Sequence, residues 1–334
     1  MIKMKKILFM TCLLAGMLVS CSSDDDTEEN TDEEITSLEK PTATTALTID
    51  NAPVIDGSDS TEPLRTLLMC RLLGIDCQWM EELASSMTWR ILPDYSRLSQ
   101  EDRKTFSQKL QNWNTHSSFL GCIDGHNDII ITARGISRDE RAYAEEKGVE
   151  LLSSPMAKDA FIFIVNADNP VSNLSIEQVK RIYMGEITNW KEVGGNDAPI
   201  VPYIRNANSG SQEKMETVVM AGLTMPKWDT LILYTMISPY ITLERDKNGI
   251  CYTPFYYYDS IVRSSMVKAL SLDGIKPCKE TIKNDTYPYV TEVMGSVRSD
   301  IDKSSTAYQL FYNLSIGKYN NIIDESGYVV RTKK

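Results

Sequence analysis

The chain has 334 residues, with 35 lysines and arginines against 46 aspartates and glutamates, a formal net charge of −11. That balance excludes a basic nucleic-acid-binding surface. Two histidines and seven cysteines without ligand spacing exclude a metal cage and a Ser-His-Asp triad, so the chain is expected not to be an enzyme and to need no cofactor or metal.

At the N-terminus, Lys3, Lys5 and Lys6 precede an apolar run from Ile7 to Val19 that ends in Leu18-Val19-Ser20-Cys21. A basic start, a short apolar stretch and small residues before a cut describe a secretory signal over residues 1–20. The run is shorter than the roughly 20 residues that a bilayer span needs. Leu-Val-Ser-Cys resembles a bacterial lipobox, which implies lipidation at Cys21 and a cell-envelope location. Ser22 after the cysteine favours the outer membrane, and the following Ser-Asp-Asp-Asp resembles a tag for surface export. Nine acids and no base lie between Ser22 and Glu39, so residues 21–46 are expected to be a solvated acidic tether. With the signal lysines and tether acids set aside, the body carries 32 basic and 37 acidic residues, a net −5. An anionic ligand would therefore be drawn by local dipoles rather than by a basic surface.

The body, about 290 residues, is long enough for two lobes with separate cores. Strand-like and helix-like segments alternate along it, which predicts an α/β fold. Ile49–Ile55 reads as a strand and Pro63–Leu73 as a helix with Leu64, Leu67, Leu68 and Leu72 on one face. Asp128–Thr132 is a short apolar run, a buried strand. Ser137–Lys147 is a charged helix stopped by Gly148. Ala160–Val165 is the strongest strand signal. Ser175–Met184 is a helix with Ser175 and Gln178 as a capping box and Gly185 past its end. Ser211–Ala221 reads as a further helix and the aromatic Gly249–Tyr258 as a strand. Five cysteines remain in the body. Cys70 and Cys77 stand seven apart in a helical pattern, about 10.5 Å along the axis, too far to bridge. All five read as small buried hydrophobes, with one disulfide left open.

Three segments carry chemistry. In Asp56-Gly57-Ser58-Asp59-Ser60-Thr61-Glu62-Pro63, hydroxyls precede a helix with proline in its first turn. Backbone N–H groups and the helix dipole there suit an anion, although the same residues also read as an ordinary cap. In Arg205-Asn206-Ala207-Asn208-Ser209-Gly210-Ser211-Gln212, Ser209 and Gln212 can form a capping box, and Gly210 permits close backbone approach. Arg205 can return to the same point as a planar, bidentate donor, or face solvent. The third segment is Asn114-Thr115-His116-Ser117-Ser118, a hydroxyl cluster in which His116 is a donor or a structural histidine; His126 lies in an exposed turn.

From Leu174 through Tyr183-Met184-Gly185-Glu186-Ile187-Thr188-Asn189-Trp190 to Gly195, the sequence resembles the helix and turn of phosphate-binding proteins of ABC importers. Arg205 and Ser209-Gly210-Ser211 follow where that family has Arg-x-x-x-Ser-Gly-Thr. Asp56-Gly57-Ser58 through Pro63-Leu64 resembles its first phosphate loop, and Ala157–Phe161 through Asn169-Pro170 its first crossing between lobes. The resemblance implies a type II periplasmic-binding fold, two α/β lobes joined by two crossing strands around a ligand cleft. Lobe I would comprise residues 47–160 and 286–334, and lobe II residues 161–285. It also implies a monomer that binds phosphate or a related tetrahedral oxyanion and delivers it to an ABC permease. Ser58, Ser60 and Thr61, with Thr115, Ser117 and Ser118, would face the ligand from lobe I, and Arg205, Ser209, Gly210 and Ser211 from lobe II.

Two departures stand out. Better-known members have an aspartate after the strand matching Ile129–Ile131 that accepts the proton of hydrogen phosphate; here Thr132-Ala133-Arg134 follows, while Asp59 stands where threonine is usual. Either Asp59 supplies the acceptor and Arg134 adds positive charge, or Asp59 caps the helix and Arg134 faces solvent. The acidic tether leaves a second function open, a surface-exposed anion-binding, sensor or adhesion module without a transport role.

Overall fold

The computed structural model describes residues 38–82, 87–207, 209–228 and 231–332. The signal segment, Cys21 and the tether up to residue 37 lie outside the described residues. Residues 39–45 correct the expectation of a free tether as far as residue 46. The Tyr308 hydroxyl donates to the Glu39 carbonyl, and Thr45 exchanges hydrogen bonds with the Gln309 amide. Among the described residues no helix is long and apolar enough to cross a membrane.

In chain order, β1 (Ile55–Gly57) leads through a 3₁₀ turn (Asp59–Thr61) into α1 (Glu62–Leu73), followed by a hairpin of β2 (Cys77–Glu81) and β3 (Trp89–Pro93). Then come α2 (Gln100–Lys109), α3 (Thr115–Ile123), β4 (Ile129–Thr132), α4 (Arg138–Lys147) and the long β5 (Leu151–Asn166). Later elements that bear on the site are α5 (Ile176–Tyr183), α6 (Gly210–Lys214) continuing into a π-helical stretch (Met215–Met220), β6 (Gly249–Pro254) and β7 (Val290–Arg298). The helix α7 (Thr306–Ser315) closes the set used below.

The expected strand Ile49–Ile55 is shorter and later. Thr48 and Asn51 hydrogen-bond each other in a turn, and Pro53 has no N–H to give a ladder, so pairing begins only at Ile55. β1 pairs parallel to β4, β4 antiparallel to β7, and β7 antiparallel to β5. β5 is the spine. Residues 151–160 pair with β7, and residues 161–165 pair with β6. Its apolar run Ala160–Val165 is therefore only the second half of a strand that passes from one sheet region to the other. Pro155 sits at an irregularity where Met156 drops out of register and covers Gly295.

β6 stops at Pro254, short of the expected Tyr258, and the chain turns into a π-helical segment, Tyr257–Ile261. The helix expected over Ser211–Ala221 divides into α6 and its π-helical continuation. α4 and α5 carry capping boxes, Ser137 with Glu140 and Ser175 with Gln178. Cys70 and Cys77 do not share one helix, contrary to the helical pattern that their spacing suggested. α1 ends at Leu73 and Gly74 takes φ 67°, so Cys77 leaves the helix and begins β2, where its thiol interacts with that of Cys70. That contact pushes the Cys70 thiol up and brings Cys77 down to about 7. All five body cysteines are free.

Candidate functional site

A cavity of about 300 Å³ opens where the end of β1, the start of α3 and the start of α6 converge. Ser58, Asp59, Ser60, Thr115 and Ser117 line it from one side, and Arg205, Ser209, Gly210 and Ser211 from the other. The two sides are close: a Cβ on Gly210 would stand 3.0 Å from the Thr115 Oγ1.

The first side is built on a buried charge pair. Arg65 on α1 lies 3.6 Å from Asp56, and its guanidinium also donates to the carbonyl of Ser58 at 3.2 Å and the amide oxygen of Asn112 at 2.8 Å. Asp56 accepts from the N–H groups of Gly57 and Trp113. Gly57 must be glycine, because a Cβ there would be 1.8 Å from the Ile131 carbonyl oxygen. Ser58 ties three segments together. Its hydroxyl is 2.7 Å from the Thr115 Oγ1 and accepts from the Ala133 N–H at 2.9 Å.

Thr61 and Ser118 do not face the cavity. The Thr61 hydroxyl donates to the carbonyls of Ser58 and Ile131, and the Ser118 hydroxyl to those of Gly57 and Asn114. Both hold the loop in place, the ordinary use of a buried hydroxyl beside unpaired carbonyls. Asn114 caps α3 by accepting from the Ser117 N–H.

Arg134 departs from both expectations. It is buried and binds Glu140 through both terminal nitrogens, at 2.8 and 2.7 Å, with its guanidinium 5.4 Å from the centre of the Phe119 ring. A bidentate pair neutralises it, and it is not part of the cavity wall. His116 Nδ1 reaches the same carboxylate at 3.1 Å. Burial acts to raise the Glu140 pKa, but hydrogen bonds from Arg134, the Ser137 N–H and His116 bring it below the ordinary value.

Asp59 does not cap α1; no side-chain cap forms at either the 3₁₀ turn or the helix. Its carboxylate faces the open cleft and is exposed in area, yet protein surrounds it. That desolvation raises its pKa, against the opposing attraction of Arg65 and Arg205.

On the second side, the Arg205 N–H is held by the Gln212 side-chain oxygen at 3.1 Å and the Tyr252 hydroxyl at 2.9 Å. Its Nε donates to the Leu233 carbonyl and its Nη1 to the Met236 sulfur. Only 5% exposed, the guanidinium is aimed at the cavity by these contacts, and burial lowers its pKa. The expected capping box of Ser209 with Gln212 does not form, because Gln212 is spent on Arg205, Tyr252 and Glu216. The Ser209 hydroxyl is left to the cavity.

The sequence reading missed Lys214, which lines the same cavity and is 4% exposed. The signal was available: Ser211 and Lys214 stand three apart at the start of a helix and so share a face. Among the described residues no cluster of histidine, cysteine, aspartate and glutamate could hold a metal ion.

Comparison with known proteins agrees with this architecture. The PBP superfamily domain model matches residues 122–300. The phosphate-binding protein PstS of Staphylococcus haemolyticus is 25% identical over 231 residues, covering 66% of this chain and 71% of its own length. PstS of Borreliella burgdorferi is 26% identical over 220 residues, 60% and 71% respectively. Among solved structures, a phosphate ABC transporter substrate-binding protein with bound phosphate from Clostridium perfringens superposes with a TM-score of 0.59 at 21% identity, covering 84% of this chain and 98% of that one. An ABC-type phosphate transport receptor from Vibrio cholerae gives 0.57 at 22%, covering 83% and 98%. With its mixed sheet spanned by β5 and β7 and its cleft between the two sheet regions, the chain belongs to the PBP superfamily and has the type II periplasmic-binding fold.

Proposed function

We propose that this protein captures inorganic phosphate, or a similar tetrahedral oxyanion, between its two lobes for ABC-type import. One observation carries the reading: Arg205 and the Ser209–Ser211 turn face Ser58, Asp59 and Thr115 across one small cavity lined with donors. Each charge-assisted hydrogen bond contributes about 1.5–3 kcal/mol net, so several together outweigh the dehydration of a small anion. Asp59 serves as the acceptor for the proton of hydrogen phosphate, the role that other members give to an aspartate after the strand matching β4. A raised pKa fits that role, since the carboxyl can share a proton with the ligand. The names of the PstS relatives support phosphate as the ligand, and the phosphate ABC transporter and ABC-type phosphate transport receptor among the solved structures support an ABC importer as the setting. Chemistry on the ligand has no place in this reading.

The lipobox-like Leu18–Cys21 supports a lipid anchor at Cys21, Ser22 supports the outer membrane, and the likeness to ABC phosphate receptors supports a monomer that hands its ligand to a permease. Calorimetric titration of the purified protein with phosphate, sulfate, molybdate and phosphomonoesters tests the ligand. Tight binding of phosphate with weak binding of sulfate is expected. Absence of heat with every anion would remove the proposed role whatever the fold.

A further inference from the structure

Lys214 is a buried ammonium that the reading above does not use. It lies on α6, one turn beyond the Ser209–Ser211 contacts, in the wall of the same cavity. Its one hydrogen bond among the described residues goes to the Thr291 Oγ1 on β7, at 2.9 Å. An ammonium has three N–H groups, so two are left for the cleft. A buried charge whose one hydrogen-bond partner is neutral is costly, and a ligand of opposite charge in direct contact would offset that cost.

The other charges around it do not supply that partner by direct contact. Asp159 on β5 faces Lys214, but its Oδ1 accepts from the N–H groups of Ala160 and Tyr256, and its Oδ2 has no hydrogen bond among the described residues. Arg134, beyond β4, is a like charge already paired with Glu140. Of the groups in the cavity wall, Asp59, His116 and Tyr234 share it with Arg205. With Arg134 and Arg65 neutralised by Glu140 and Asp56, the cations left to the cavity among the described residues are Arg205 and Lys214.

We propose that Lys214 is a ligand-binding residue, held by Thr291 at the crossing strand and supplying the second positive charge that makes the cleft selective for dianionic oxyanions. This rests on the proposed function and names the charge class of its ligand. It also couples binding to the proton. Burial depresses the Lys214 pKa to about 8, with Asp159 opposing and Arg134 reinforcing that shift. A dianion beside the ammonium favours the charged form. Above about pH 8, binding must therefore take a proton from solution, and affinity must fall as pH rises.

The test is calorimetry of the whole protein with inorganic phosphate near pH 8.5, in buffers of different ionisation enthalpy, for the parent, Lys214→Met and Asp59→Asn. The parent is expected to take up a substantial fraction of a proton. Lys214→Met is expected to lose this uptake and to bind roughly 10- to 100-fold more weakly at neutral pH. Asp59→Asn is expected to keep the uptake, which separates the two titrating groups. Zero uptake by the parent, or unchanged uptake and affinity in Lys214→Met, overturns the assignment, and the first needs no variant to fold. If the parent binds phosphate normally and these signatures are missing, only the role of Lys214 falls. If the parent binds no anion, both readings fall.

Discussion

Asp59 sets a problem of sign, because a carboxylate in an anion cleft repels its ligand unless a proton lies between them. Desolvation raises its pKa, and the cleft offers Arg205 as a countercharge. Sulfate brings no proton, so in its complex two negative oxygens face each other. Asp59→Asn removes that penalty and replaces the acceptor with an amide. The ratio of phosphate to sulfate affinity is then expected to fall by at least about tenfold, given how strongly an unpaired or repelling buried group discriminates. Competitive titration of the two anions measures it, and an unchanged ratio excludes Asp59 from selectivity. Much of this site was legible in residue types and spacing. Ser58, Asp59, Arg205, Ser209 and Gly210 line the cavity, as the hydroxyls, glycine and arginine clustered at two helix starts suggested beside their plainer reading as caps. Arg134 was not legible as a structural residue until Ser137 and Glu140 are read as a capping box. That box brings the Glu140 carboxylate to the head of α4, within reach of an arginine six residues earlier. The Thr61 and Ser118 hydroxyls likewise bind carbonyls rather than facing the cavity. A hydroxyl in a loop can face the ligand or tie down a carbonyl, and composition does not distinguish the two.

At the scale of elements, local signals gave the helices and tertiary pairing gave the strands. The caps Ser137, Ser175 and Gly148 bound helices whose ends are set within a residue of their signals. β5 is 16 residues long, but only its second half is continuously apolar; the first half, with Lys158, Asp159 and Pro155, is a strand because β7 lies beside it. The hairpin of β2 and β3 left little trace in the sequence, yet it reaches across the molecule. The N–H of Arg263 donates to the Met87 carbonyl at 3.1 Å, Thr88 bridges to Val262, and the Arg263 guanidinium lies 4.0 Å over the Trp89 ring. Residues 262–263 follow β6, which lies toward the opposite end of the strand order from β1. The hairpin therefore touches both halves without entering the cavity wall. An exposed cation–π contact contributes about 0.5–1 kcal/mol, so Trp89→Ala is expected to raise the phosphate off-rate about two- to fivefold. The on-rate should barely change. Stopped-flow displacement reads both, and an unchanged off-rate would show that the hairpin does not hold the halves together.

For the whole molecule, charge at long range and charge at the site have opposite signs. The body carries a net −5, and the acids before residue 40 add to it, whereas the cavity presents Arg205 and Lys214. A dianion thus approaches through a repelling field and meets attraction only within the cleft. Affinity is set by close contacts that salt screens weakly, since they are buried and short. The approach is governed by the field of the entire surface, which salt screens strongly: the Debye length falls from about 30 Å at 0.01 M to about 8 Å at 0.15 M. For a protein that steers its ligand by surface charge, the on-rate drops as salt is added. Here the opposite is expected. The phosphate on-rate should rise modestly, by about two- to threefold, between low and physiological ionic strength, while the off-rate stays nearly constant. Stopped-flow kinetics at constant pH, with a monovalent salt that does not compete for the site, gives both rates. An on-rate that falls with salt would mean that cations outside the cavity draw the anion in, and that the acidic surface is not what the ligand meets first.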